Sequence, residues 1–412
     1  YLMDINKKNY IWNTIGSTLF SFNSLFLAII VTRINGIANA GIFSLAFSTA
    51  GIINYIALYS GRTYQIANTN EKFTDGLFIL LRIITVLIAI VFSLGFVLVN
   101  NYDVYKATIV LLLCILKCIE ALSDVFYGIL QKQNYLYIAG ESLTFKSLFA
   151  LLAFVVVDII THNLVLAIAV FLFVNILFLI FFDIQQSKNR CGMNLSLNRL
   201  NLIELAQMGI YTFLFTVLIM IIMNLPKYFI DYFLNNADQG IYGILTMPAT
   251  FIMMLAQFIL QPSLLYLTNC KEQKDYQLFD SRVLKICITI LSSLIIIIPT
   301  AYFLGVPVLQ IIYGVSLEGY RLGLILIIIG SAFYAVSNIL LNALVVLDNT
   351  KEQFILQVII FALSLLVCFM LISNFGINGG VYSYATIMLL EFLIYVLFFR
   401  IRIDSLIKGS IS

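Results

Sequence analysis

Charge is scarce in this sequence: Asp, Glu, Lys and Arg make up 10% of its 412 residues, against about a quarter in a typical soluble domain. A water-soluble fold with 62% hydrophobic residues and a mean hydropathy of +1.04 would have nowhere to put its apolar surface. Histidine is nearly absent. His162 is the only one, which excludes a histidine metal cluster. The six cysteines show no CxxC spacing, so they read as small core residues and not as a disulfide framework or metal site. HExxH, a Walker glycine loop, GxSxG and paired DxD are all missing, so no catalytic pattern is present and no enzyme activity, cofactor or metal is expected. The net charge of +3 leaves no nucleic-acid patch. Alternation is missing too: runs such as 164–182 and 290–298 do not alternate between polar and apolar residues, which excludes a transmembrane β-barrel.

What is present is a series of apolar blocks, each long enough to cross a roughly 30 Å hydrocarbon core as a helix of about 20 residues. Twelve spans are predicted near 10–32, 38–60, 76–99, 104–131, 139–159, 163–184, 203–228, 238–262, 282–304, 321–347, 353–373 and 377–401. The first block follows Lys7 and Lys8 without a short apolar region and small-residue cleavage site, so it reads as a retained span. With the N-terminus inside, about 15 of the 23 basic residues fall on the cytoplasmic side and about four outside. That asymmetry predicts an even span count with both termini cytoplasmic. Every loop is short. The longest, 185–202 and 263–281, are both cytoplasmic, and the longest outward segment is 305–320. No loop is large enough to be a domain, which leaves no room for a nucleotide-driven motor. Leu195, Leu197, Leu200 and Leu202 among polar residues place part of the first long loop on the membrane surface.

The chain also repeats itself. Ala40-Gly41-Ile42-Phe43-Ser44 opens span 2 and Gln239-Gly240-Ile241-Tyr242-Gly243 opens span 8, at an offset of 199. Ala121-Leu122-Ser123-Asp124 in span 4 pairs with Ala335-Val336-Ser337-Asn338 in span 10, at an offset of 214. Both matches are six spans apart, and six is even, so the halves share one orientation. The fold class is therefore an all-α integral membrane protein, with two parallel-repeat six-helix lobes: residues 1–187, a cytoplasmic linker over 188–202, and residues 203–412. This is an architecture of transporters with a site at the repeat interface.

Polar groups inside the spans mark candidate sites. In span 4, Lys117, Glu120 and Asp124 fall within about 60° of one another, and Tyr127 and Gln131 continue that stripe. A charge at mid-membrane costs roughly 2.5–3.5 kcal/mol on insertion scales, so the stripe must face protein or water. One reading is a self-neutralising Lys117–Glu120 pair that holds helices together; the other is a functional cluster. At the 214 offset the stripe becomes Ser331, Tyr334 and Asn338, polar but uncharged, which predicts ionic chemistry in the first half and neutral hydrogen bonds in the second. Asn13 and Ser17 lead a polar face of span 1 that either packs helices or lines a cavity. Arg62 ends span 2, Arg82 lies in the inner third of span 3, and Lys146 and Lys285 lie about a turn into spans 5 and 9. Snorkelling to headgroups is the plain alternative for these four. Glu391, near the middle of span 12, is a cavity candidate.

Several stretches resemble the Wzx-type polysaccharide-repeat flippases of the multidrug/oligosaccharidyl-lipid/polysaccharide (MOP) exporter superfamily. They are Lys7-Lys8-Asn9-Tyr10-Ile11-Trp12-Asn13-Thr14-Ile15-Gly16-Ser17, Thr32-Arg33, Gly61-Arg62-Thr63-Tyr64-Gln65, Ser123 through Gln131, and Ala139-Gly140-Glu141-Ser142-Leu143. The resemblance implies an alternating-access exporter in a bacterial plasma (inner) membrane. Its substrate would be an undecaprenyl-pyrophosphate-linked oligosaccharide, its surroundings membrane lipids, its coupling ion a proton or sodium, and its partner the polysaccharide polymerase machinery. On that reading Arg62, Lys117, Lys146, Arg82 and Lys285 are cationic candidates for the substrate. Asn13, Ser17, Tyr334 and Asn338 offer hydrogen bonds to the glycan, and Glu120, Asp124 and Glu391 take the coupling ion. A drug/cation antiporter of the same fold is the alternative; it would need an acidic cavity, whereas the charges within these spans are mixed.

Overall fold

In the computed structural model, residues 2–59, 61–67 and 72–411 are described, and among them there are helices but no strand. The elements are α1 (Leu2–Asn35), α2 (Ile37–Leu58), α3 (Gly61–Ala67), α4 (Asp75–Val99), α5 (Val104–Lys132) and α6 (Leu136–Thr161). Helix α7 (Leu164–Phe178) passes through a π-helical turn, Leu179–Asp183, into α8 (Ile184–Cys191). Then come α9 (Arg199–Phe233), α10 (Asn236–Glu272) and α11 (Tyr276–Thr300). A second π turn, Ala301–Gly305, leads into α12 (Val306–Tyr313), followed by α13 (Arg321–Val346). The last helical stretch, Thr350–Ile411, breaks at Gly376, where φ is 56° and ψ is −132°. It is therefore two helices, α14 (350–375) and α15 (377–411).

Ten stretches of the described chain are long and apolar enough to cross a membrane. Helix α5 is not among them because Lys117, Glu120 and Asp124 interrupt its apolar run. The tenth stretch, Thr350–Lys408, has 59 residues, roughly 90 Å at the α-helical rise, and Gly376 divides it into two membrane lengths. Counting α5 and that division, the expected twelve spans appear in the expected order. The expected end of span 2 at residue 60 lies outside the described residues.

The helix ends follow from local chemistry. Thr74, Asp103, Asn163, Asn235 and Asp275 precede helices, and the side chain of each accepts a hydrogen bond from a backbone N–H of the first turn. Such caps satisfy donors that have no partner within the helix. Tyr59, His162 and Gly314 close α2, α6 and α12 in the left-handed conformation.

Three expectations need correction. The segment 263–281 is not a long loop: α10 continues to Glu272 and α11 starts at Tyr276. Nothing in Thr268-Asn269-Cys270-Lys271-Glu272 breaks a helix, so α10 continues past its apolar stretch. The outward segment 305–320 likewise contains α12. Arg62 also does not end span 2: α2 stops at Leu58, Tyr59 turns left-handed (φ 46°), and Arg62 rides on the short helix α3.

The chain divides into two compact units, Tyr1–Met220 and Ile221–Ser412. The division falls inside α9, beyond the linker expected at 188–202. In unit 1, α5 is central and touches α2, α3, α4, α6, α7 and α8. Helix α1 lies along α6, where two glycines meet: a Cβ on Gly16 would sit 2.4 Å from the Gly140 carbonyl oxygen, and one on Gly140 would sit 2.3 Å from the Trp12 backbone. The absent side chains let the backbones touch. The linker packs on unit 1. Gly76 N–H donates to the Asn194 carbonyl (2.9 Å) and Thr74 Oγ1 to the Ser196 carbonyl (2.6 Å), while Leu205 joins the cluster of Phe73, Leu77, Phe78, Val125 and Phe126. Leu195, Leu197 and Leu200 remain exposed, in keeping with a place at the membrane surface. In unit 2, α13 is central and packs against α10, α11 and the α14–α15 pair. The two central helices, α5 and α13, are the pair related by the 214-residue offset.

Candidate functional site

Unit 1 gathers its in-span charges into three clusters along α5. The first joins four of the polar residues singled out in the sequence. Arg62 donates to Asp124 Oδ1 (3.0 Å) and, through Nε and Nη2, to Gln131 Oε1 (3.3 and 2.9 Å). Arg82 donates to Asp124 Oδ2 (3.2 Å) and to the Ala57 carbonyl (3.3 Å), a carbonyl also bonded by Thr85. Two guanidiniums thus share one carboxylate, and the cluster carries a net positive charge. Arg82 is buried, whereas the Arg62 side chain is 31% exposed. A guanidinium has five N–H donors and these bonds use three of those on Arg62, so two remain to meet an anion. A small cavity beside the cluster is lined by Tyr59, Gly61, Gln65, Arg82, Thr85 and apolar neighbours. The open space at Gly61 matters, because a Cβ there would stand 3.2 Å from Arg82 Nη2.

The second cluster is Lys117 with Glu120, 2.6 Å apart on successive turns of α5. Lys117 Nζ also lies 5.3 Å from the ring centre of Phe20 and 5.1 Å from that of Phe47. The ammonium is thus held between aromatic faces from α1 and α2 as well as by its carboxylate. The pairing anticipated as one of two readings of the stripe is present, with both side chains largely enclosed.

The third cluster is fully enclosed. Lys146 Nζ donates to Tyr127 Oη (2.8 Å) and Ser123 Oγ (3.2 Å) and lies 3.6 Å from Asp183 Oδ2. Asp183 accepts from Ser142 (2.5 Å) and Tyr127 (3.3 Å). Lys146 and Asp183 are 2% and 0% exposed. The π turn is what carries Asp183: one extra residue in that turn re-aims the side chains that follow it. Asp183 is not among the sequence candidates, although an acid at the end of a 19-residue stretch whose one polar residue is Asn175 is the kind of in-membrane ionisable group that marks a partner.

The remaining sequence candidates are dispersed. On α1, Ser17 Oγ donates back to the Asn13 carbonyl (2.6 Å), a local bond within the helix. In unit 2, Asn338 Oδ1 accepts from Gln257 (3.1 Å) and from Asn342 (3.1 Å). Tyr334 is buried, and Ser331, also of the stripe, pairs with Tyr384 (3.1 Å). Lys285 is exposed on α11 and joins none of these groups. Glu391 is 2% exposed; it accepts from Gln357 Nε2 (3.3 Å), which also donates to Tyr395 Oη (2.9 Å). Gln357 and Tyr395 had no signal in the sequence beyond being polar groups in apolar runs.

No family model matches the chain. The capsular polysaccharide biosynthesis protein CapF of Staphylococcus aureus is 21% identical over 403 residues, covering 95% of this chain and 99% of that protein. Among solved structures, the lipid II flippase MurJ in an inward closed conformation superposes with a TM-score of 0.71 at 13% identity, over 94% of this chain and 87% of that one. An inward-facing multidrug resistance MATE family transporter of the MOP superfamily gives a TM-score of 0.63 at 14% identity, over 98% and 95%. The chain thus shares the fold of these transporters, and along its whole length it is similar to a capsular polysaccharide biosynthesis protein.

Proposed function

We propose that the protein is an alternating-access flippase, both termini cytoplasmic, that moves an undecaprenyl-pyrophosphate-linked oligosaccharide repeat from the inner to the outer leaflet for surface polysaccharide synthesis. The observation that carries this reading is the Arg62–Asp124–Arg82 cluster, with two guanidiniums on one carboxylate and one of them partly exposed. A pyrophosphate leaving water needs cationic donors held in place, and Asp124 fixes the two guanidiniums without neutralising both. Lys117, enclosed by Phe20, Phe47 and Glu120, offers a second positive charge further along the same helix. Lys146 serves differently on this reading: its Asp183 and hydroxyl partners make it a strut that locks α5 to α6 and the π turn. Similarity to a protein named for capsular polysaccharide biosynthesis supports the glycan assignment. A drug antiporter would need an acidic cavity, and the acids of α5 are all ion-paired.

In cells that depend on this protein, Arg62→Ala and Lys117→Ala should each abolish surface glycan while the protein still inserts in the membrane. Normal surface glycan in both variants would refute the pyrophosphate site. Lost efflux of a cationic drug with unchanged glycan would point to the antiporter.

A further inference from the structure

Every acid on the α5 stripe has a cationic partner: Glu120 has Lys117, and Asp124 has Arg62 and Arg82. Asp183 faces Lys146 in the same unit, and Asp280 in unit 2 pairs with Arg400. A carboxylate held by a cation keeps its charge and resists taking up a proton. Glu391 differs. Among the described residues it forms no ion pair, it is 2% exposed, and its single hydrogen bond comes from a neutral amide, Gln357 Nε2, at 3.3 Å. Asp158, another buried acid without an ion pair among the described residues, has Asn35 as donor at 3.0 Å and lies near His162, the residue that closes its helix.

Among the described residues, the groups around Glu391 bring it no compensating charge. From its own helix, Tyr384 and Tyr395 are its ionisable neighbours. From α14 there is Gln357; from α13 there are Ser331, bonded to Tyr384, and the ring of Phe333, stacked on Phe392 next to Glu391. From α10, Tyr242 lies toward Tyr384. On α11 the Asp280–Arg400 pair is satisfied within itself, its arginine two turns and more along α15 from Glu391. None of these offsets a negative charge, and an isolated buried carboxylate is too costly to keep ionised; it neutralises instead.

A polar file leads to it. Asn349, Gln353 and Gln357 follow at four-residue steps, so they lie on one face where α14 begins and rises. All three are 3% exposed or less. Asn349 Oδ1 accepts from Arg402 (3.1 Å) at the end of the file. Both polar atoms of the Gln353 side chain, and Gln357 Oε1, are buried without a protein partner among the described residues. Buried amides in that condition recruit ordered water, and a file of amides and waters is a route for a proton. A metal cation would need its oxygens to converge on one point, whereas Asn349, Gln353 and Gln357 are spread over eight residues, about 12 Å along the helix. A proton needs one acceptor.

Given the flippase reading, on which this rests, we infer that Glu391 is the proton-carrying group of the transport cycle, loaded through the Asn349–Gln353–Gln357 file from the end of unit 2 at which α14 begins. The step is a protonation: an O–H bond forms on a Glu391 carboxylate oxygen, the proton coming from water at the mouth of the file, and it breaks when the group meets water on the other side. Coupling then resides in unit 2, whereas the headgroup cations are in unit 1.

The test reads the proton directly. Infrared spectra of the purified full-length protein in lipid should show a protonated-carboxyl band that disappears in Glu391→Gln, titrates with pH in the wild type, and is unchanged by added sodium. Gln357→Met, which removes the hydrogen bond, should move the midpoint of that titration by about one pH unit, and Gln353→Leu should slow exchange of the band into deuterated water at least several-fold. The same readouts come from the last two variants if Glu391→Gln does not fold. A spectrum and titration indifferent to all three substitutions would overturn the inference, as would a band lost on adding sodium at constant pH. Because no glycan is involved, a titrating Glu391 beside normal surface glycan in both Arg62→Ala and Lys117→Ala would refute the pyrophosphate site and leave the proton site standing. The converse result would do the reverse.

Discussion

The two units use equivalent central helices for opposite electrostatic purposes. Helix α5 of unit 1 carries Lys117, Glu120 and Asp124 and draws Arg62, Arg82, Lys146 and Asp183 around it. Helix α13 of unit 2, its counterpart in the repeat, offers Ser331, Tyr334 and Asn338, and its nearby polar contacts are with Tyr384, Gln257 and Asn342. Duplication preserved the place of the polar stripe and let its chemistry diverge. Around α5 each acid is matched to a cation, because an unmatched one would be costly in a low-dielectric interior. Where charge is sparse, Glu391 is buried with a single neutral donor, Gln357, and on the proposed reading it exchanges the proton while unit 1 holds the anion.

The contrast predicts unequal damage. The largest effect should come from breaking a buried pair of unit 1 on one side only. Lys146→Met leaves Asp183 buried with its hydroxyl donors alone, and should cost about 3–5 kcal/mol. Adding Asp183→Leu to it should return a good part of that loss. Thermal unfolding of the detergent-solubilised protein measures both; a double variant no better than the single would mean that the pair is not what couples the two sites. A smaller loss, about 1–3 kcal/mol, is expected from Gly140→Val, because a side chain there forces α1 off α6. Its unfolding midpoint should fall while the infrared signature of Glu391 stays unchanged, since the damage is confined to unit 1. The smallest effect belongs to Lys72→Ala. Its pair with Glu204 lies on the surface with both side chains about half exposed, so the change should be under about 1 kcal/mol and vanish in high salt. A larger or salt-independent loss would mean that this pair does more than a surface contact.

Much of the architecture is readable along the chain. The length and polarity of the apolar blocks yield the order of spans, and the recurrence of Ala121–Asp124 at Ala335–Asn338 marks the two central helices. Clustering is not readable in the same way. Lys117 and Glu120 could be paired from spacing alone, since they sit one turn apart. That Arg62 and Arg82 converge on Asp124 depends on α3 and α4 meeting α5, with 62 and 42 residues between the partners. Asp183 was missed because its aim is set by a π turn, and no residue type announces one. The extent of α10 and α12 was underestimated because apolar length marks where a helix can cross a membrane but says nothing about where it stops. Lys285 illustrates the converse: its position in the sequence matches that of Lys146, yet it is exposed and Lys146 is enclosed.

By itself the sequence determined that this chain is a bundle of membrane-crossing helices in two related halves, because hydrophobic length and the cost of unpaired backbone in lipid leave no other solution. It also determined which ionisable groups had to be sheltered. Only the tertiary structure decided how they are sheltered: Lys146 by Asp183 and two hydroxyl-bearing side chains, Asp124 by two arginines, and Glu391 by no cation among the described residues. Pairing depends on which helix faces meet, and that is settled by packing between segments far apart in the chain.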